Sequence, residues 1–477
     1  MLSNSDYKNM DAIELADRIR NKDFTAEEVS GCAIARAKET NPSINAIVHE
    51  NYENALEQAR GFDAKPELLK QSNLAGLPFL IKDLSTVKGL PASFGSRLFD
   101  GYIASSSSNI VQKYLDAGLI VIGKTNTPEW GLTLTTEPQS NVATRNPWNT
   151  DYSTGGSSGG AAAAVAAGIV PVAHASDGGG SIRIPAACCG VFGLKPSRGL
   201  TTIENSLGEC WSGMSVGHVV SQTVRDSAAF LDLIKLSKPN LFPLPSSPTS
   251  FFDVHNGDVS KLRIGIQLTH PMDQKIDDEC IRGVKIAAEI CEALGHQVEE
   301  FTHPVNYFRT SSAMGTLINV HVYQAVSPRL EELGVSLEDS PIETSTRIMA
   351  SHGSKVTASD YLAARDKIKS AEYQMEELHK KYDIIISPVL SKTPAKIGWL
   401  DMNSSDMKQY TNRFKAYSGF SALYNGTGQP SMSMPLHQTD NGVPVGVMFT
   451  AAWGGDSLLL QLAHKIELAK PWARTAN

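Results

Sequence analysis

The chain is poor in the residues from which several kinds of site are built. Six of its 477 residues are cysteine, at 32, 188, 189, 210, 280 and 291, and their spacing pairs none of them as metal ligands. In so long a chain they do not form a disulfide framework either, so reduced thiols are expected. Positive charge is not in excess: 43 Lys and Arg against 50 Asp and Glu leave a formal net charge of −7. That balance lacks the basic footprint of a nucleic-acid binder, and no basic run points to an anionic membrane. Long apolar runs are missing as well. The longest small-apolar stretch, 161–173, contains Gly168 and Pro171 and is too short to span a bilayer; it reads as a buried helix beneath a site. Residues 1–8 lack the apolar core of a signal peptide, so a cytoplasmic location is expected. The twelve histidines are scattered, and His174, His218 and His321 read as ordinary hydrogen-bonded side chains.

Glycine, by contrast, is concentrated. Gly-Gly-Ser-Ser-Gly-Gly at 155–160 leads into an alanine run, and Asp-Gly-Gly-Gly-Ser-Ile-Arg-Ile-Pro follows at 177–185. Backbone of this kind comes close to another group and takes conformations a side chain forbids. Three glycines before Ser181 can aim the N–H groups of Gly178, Gly179, Gly180 and Ser181 into one concavity, the geometry that holds an oxyanion. A serine hydroxyl needs a base to become a nucleophile, and no histidine is placed persuasively. A lysine serves if burial lowers its pKa from about 10.4. Lys82 ends the strand-like apolar run Gly-Leu-Pro-Phe-Leu-Ile-Lys at 76–82, so its stem is expected to leave a buried strand end.

These residues, together with Gly-Lys-Thr-Asn at 123–126, Asn-Pro-Trp-Asn at 146–149, the block 155–199, the stretch 217–226 and Gly-Thr-Gly-Gln-Pro at 426–430, resemble the amidase signature family of serine hydrolases. The resemblance implies an amidase that cleaves carboxylic amide C–N bonds. It implies Ser181 as nucleophile, Ser157 as a bridging serine preceded by a cis peptide, and Lys82 as base. Ser158, Asp177 and Arg183 match positions that brace this machinery. The family carries no metal or organic cofactor, and the expected partner is a small-molecule amide, with neither nucleic acid nor membrane and with a homodimer left open. The third glycine before Ser181 is similar to the subgroup that includes the 6-aminohexanoate cyclic dimer hydrolases, which suggests linear or cyclic small amides. Two rivals are a glutamine amidotransferase A subunit acting in a complex and an α/β-hydrolase-type esterase.

Two motifs are set aside on their context. Residues 118–125 fit a phosphate-loop pattern, but the four variable positions, Leu-Ile-Val-Ile, are apolar and strand-forming, so the motif is itself a strand. Gly-x-Ser-x-Gly occurs at 155–159 and 156–160, yet polar residues 145–152 precede it, where a nucleophile elbow follows a hydrophobic strand. Cys188 and Cys189 read as buried packing residues.

Helix and strand patterns alternate along the chain. Thr25 and Glu28 form a capping box opening a helix to about residue 40. Helices are expected at 108–117, 277–294, 359–381 and 458–468, and strands at 119–122, 262–268, 297–301, 384–386 and 442–450. The alternation predicts an α/β fold: a single large domain over 1–477 with a mostly mixed central sheet covered by helices on both faces. A Pro- and Ser-rich connection at 238–259 reads as a surface link. The resemblance implies a pocket lined by variable segments, here expected to include 307–323, 342–352 and the Trp399 region, and Trp211, Tyr307 and Tyr323 could shape an acyl or amine pocket, although packing is the expected role of each.

Overall fold

The computed structural model describes residues 2–201 and 210–476. Eight strands form one mixed sheet, in the order Gln297–Glu300, Arg263–Ile266, Ile384–Pro388, Pro444–Ala451, Ser431–Gln438, Phe192–Lys195, Val216–Ser221 and Val172–Asp177. The first three run parallel and the remaining pairings are antiparallel. Alternation along the strands shows why helices are needed on both faces. Ile384 and Ile386 enter one core with Val284, Leu459 and Leu462, whereas Ile385 enters the opposite core with Tyr417, Tyr424 and Met375. Successive side chains on a strand point to opposite faces, so a strand apolar at every position is stable only when both faces are covered. The single α/β domain with a mixed, helix-flanked sheet is therefore as expected.

A smaller sheet carries the base. Pro78–Lys82 lies parallel to Ile120–Thr125, which pairs antiparallel with Ile47–Glu50. All five residues of Pro78–Lys82 are buried. The phosphate-loop match is indeed a strand, with every residue of Ile120–Thr125 buried.

Two expectations need adjusting. The small-apolar stretch is helical only over Gly159–Ala166, and Val172–Asp177 is the edge strand of the large sheet. Pro171 supplies no N–H to continue the helix, and the following residues pair with Val216–Ser221. In the segment 238–259 the chain is irregular until the short helix Phe251–Val254, and Phe251 is fully buried in the core beside Leu459.

Candidate active site

Three elements converge on one point. The strand Pro78–Lys82 ends in Lys82; the turn before the helix Gly159–Ala166 holds Ser157 and Ser158; the end of Val172–Asp177 runs into Ser181 and the helix Arg183–Cys189. Lys82 is fully buried. Its Nζ donates to Ser157 Oγ at 2.7 Å and to Ser176 Oγ at 3.1 Å. The Gly156–Ser157 peptide is cis. No side chain fits at Gly156, where a Cβ would lie 2.5 Å from the Thr135 carbonyl oxygen. Ser158 links the two glycine segments: its N–H donates to the Ser181 carbonyl at 3.2 Å, its hydroxyl to the Ser176 carbonyl at 3.2 Å, and that hydroxyl accepts from the Ser176 N–H at 3.4 Å.

Asp177 and Arg183 are completely buried and form a two-pronged pair, with Nε and Nη2 each 2.9 Å from a carboxylate oxygen. Burial pushes the Asp177 carboxyl upward, but the Arg183 guanidinium and its hydrogen bonds outweigh that and hold it well below the usual carboxylate range. The same carboxylate accepts the N–H groups of Gly180 at 2.7 Å and Ile182 at 3.1 Å. This corrects the expected oxyanion donors. The Gly180 N–H is committed to Asp177, whereas Gly178, Gly179 and Ser181 line the cavity beside the loop. Arg183 also donates to the Ser421 carbonyl at 2.8 Å, Ser431 Oγ at 2.9 Å and Asn425 Oδ1 at 2.6 Å. Asn425 Nδ2 returns to Asp177 Oδ1 at 2.9 Å. The loop is thus fixed by residues from a distant part of the chain.

Ser181 opens into a cavity of about 360 Å³. Leu132, Leu134, Ile318, Met349 and Phe414 give it apolar walls, Thr133, Ser345 and Tyr410 give it hydroxyls, and among the described residues Lys415 is its only ionisable amine or acid. The segments 307–323 and 342–352 line it as expected, through residues such as Met314 and Ser345. The Trp399 region does not. Trp399 packs on Tyr417 and beneath Arg413, and the helix Met407–Tyr417 presents Tyr410 and Phe414 in its place. Trp211 and Tyr307 are in the wall, whereas Tyr323 is surface-exposed.

Two contributors escaped the sequence reading. Ser176 touches the lysine and precedes Asp177 directly, a position that could have been singled out beside it. Asn425 lies next to the Gly-Thr-Gly-Gln-Pro match but carried no spacing signal of its own. Other candidates are inert: burial lowers His174 to about 3, aided by the Lys82 charge, and burial lowers His218 to about 3. Burial likewise pushes the Cys188 thiol up to about 12, against a thiolate.

The amidase family model matches residues 28–460. This chain belongs to that family. It is 32% identical over 488 residues to the 6-aminohexanoate-cyclic-dimer hydrolase of Paenarthrobacter ureafaciens, covering 97% of this chain and 95% of the relative. A solved 6-aminohexanoate cyclic dimer hydrolase in complex with its substrate superimposes with a TM-score of 0.88 at 30% identity, covering 98% of both chains. A bacterial aryl acylamidase of the amidase signature family follows with a TM-score of 0.84 at 25% identity, covering 97% of this chain and 96% of that one. The chain is an enzyme that hydrolyses amide C–N bonds, in linear or cyclic amides.

Proposed function

We propose that the amide is cleaved through an acyl-Ser181 intermediate. Neutral Lys82 takes the Ser157 proton as Ser157 takes that of Ser181, and Ser181 Oγ bonds to the carbonyl carbon. The oxyanion is met by the N–H groups of Gly178, Gly179 and Ser181. The C–N bond then breaks while the relay returns its proton to the leaving nitrogen, which leaves poorly as an anion. Water attacks the resulting ester by the same route and frees the acid. The observation that carries this reading is the buried Lys82 amine, 2.7 Å from Ser157 and 3.1 Å from Ser176, beneath the cavity that Ser181 enters. Ser181 Oγ makes no hydrogen bond to the described residues, and such contacts often tighten only when substrate binds. Ser158, Asp177, Arg183 and Asn425 hold the loop.

The walls suit a neutral amide of medium size with methylene chains, linear or cyclic. The cyclic dimer of 6-aminohexanoate, substrate of the relatives, is such a molecule. The glutamine-cleaving alternative fits less well, because the cavity wall among the described residues contains no Asp or Glu to receive an α-ammonium group. The reading needs no metal, organic cofactor, nucleic-acid or membrane partner. Six free cysteines support a cytoplasmic setting, and among the described residues no helix is long and apolar enough to cross a membrane.

Hydroxylamine partitioning tests the intermediate. Amides that share one acyl group but differ in leaving amine are expected to give one constant ratio of hydroxamate to acid; a ratio that follows the leaving amine contradicts a common acyl-enzyme.

A further inference from the structure

Trp211 and Ser212 hold left-handed backbone, with φ of 53° and 56°. Residues with side chains adopt it rarely, and such positions persist only where the surroundings fix them. Here the surroundings are explicit. Ser212 Oγ lies 3.1 Å from His321 Nε2 and also bonds the Tyr361 hydroxyl. His321 belongs to the helix Tyr307–Leu333, which forms much of the cavity wall, and Tyr361 to the helix Ala358–His379. On the other side of the turn, Arg198 Nε donates to the Gly213 carbonyl at 2.9 Å, and Asn425 Nδ2 donates to the Met214 carbonyl at 3.0 Å. The turn is therefore fastened both to the cavity wall and to the Asp177–Arg183 network.

The fastening places an indole. A Cβ on Gly178 would lie 2.8 Å from Trp211 Cε3 and Cζ3, so the six-membered ring rests on the first glycine of the nucleophile loop. Trp211 and Ser181 share the cavity. A flat apolar face at that point would lie beside a carbonyl held at Ser181, where it can stack on a planar amide and its neighbouring methylenes and exclude branching at the α-carbon.

We propose that Trp211 determines which amides reach Ser181, favouring unbranched methylene chains over α-branched acyl groups, and that Ser212, His321 and Tyr361 are positioning residues that hold its indole against Gly178. The inference rests on the acyl-Ser181 reading. The test compares hexanoyl and 2,2-dimethylbutanoyl anilides with the parent enzyme and with Trp211→Ala, Trp211→Phe, Ser212→Ala and Tyr361→Phe. Trp211→Ala is expected to lower the unbranched-to-branched ratio of kcat/KM at least tenfold, chiefly through a higher KM for the hexanoyl anilide. Ser212→Ala and Tyr361→Phe shift the ratio the same way by less, and Trp211→Phe restores it to within threefold of the parent. An unchanged ratio, or a loss in kcat alone on both substrates, overturns the inference and marks the turn as structural. Labelling with a compact fluorophosphonate separates the two failures: a parent enzyme that takes no label on Ser181 brings down the acyl-serine reading and the inference with it, whereas a labelled Ser181 with an unchanged ratio brings down the inference alone.

Discussion

Two lysines lie side by side on neighbouring strands of the small sheet, both completely buried, and they have opposite company. Lys124, paired in register with Ile81, meets the carboxylate of Asp83 and donates to the Pro91 carbonyl at 2.9 Å. Lys82, one residue on, donates to the hydroxyls of Ser157 and Ser176. A carboxylate partner holds an ammonium in place and compensates its burial. A hydroxyl can accept or give up a proton, so an amine facing hydroxyls is arranged for transfer. Burial alone therefore does not mark a catalytic lysine; the chemistry of what it faces does.

Exchanging one lysine at a time sharpens the contrast. Lys82→Ala is expected to lower kcat/KM by about 10²–10⁴-fold, the range for loss of a positioned general base, with the urea midpoint little changed; steady-state kinetics and a denaturation curve together check it. Lys124→Met should do the reverse. It leaves Asp83 buried without its cation, which costs about 3 kcal/mol or more, while activity per folded molecule stays within a few fold. Equal losses of activity in the two variants would erase the distinction. Ser176→Ala removes one hydroxyl from Lys82 and is expected to lower kcat about tenfold, a net loss near that of one hydrogen bond.

A carboxylate comparison gives the smallest effect. Burial pushes Asp83 upward, but Lys124 and His49 outweigh it and hold the group below its usual range. Its stabilising contribution is present above the unfolded pKa of about 3.9 and disappears as pH falls through the folded value. Glu343 accepts the Gln139 N–H at 2.9 Å and the Asn403 amide at 3.0 Å. Burial, reinforced by Glu129, raises it to about 7. Its contribution is complete below the unfolded value of about 4.3 and is lost as pH rises through 7. Glu343→Gln should flatten that part of the stability profile, read as thermal midpoint against pH; a profile parallel to that of the parent contradicts the assignment.

What was legible in the sequence was local. The apolar run ending at Lys82, the two glycine segments and the apolar character of 119–122 each state their structure within a few residues, and the structure agrees. The brace around Arg183 was not legible, because Ser421, Asn425 and Ser431 reach it from a distant part of the chain through pairing that no periodicity announces. The Gly180 donor was misread for a different reason. An aspartate takes backbone N–H groups a few residues ahead of it, and Asp177 stands in that relation to Gly180, so the competing acceptor was visible beside the glycines. The Trp399 region failed as a pocket wall because its indole has a better partner in Tyr417, and the helix after it turns Tyr410 and Phe414 inward.

The most direct test labels the protein with a serine-directed fluorophosphonate and maps the adduct by peptide mass spectrometry in the parent, Lys82→Ala and Ser157→Ala. An adduct on Ser181 that fades in both variants is the predicted result. An adduct on Ser157 or Ser158, or one on Ser181 that is indifferent to Lys82, would contradict the relay.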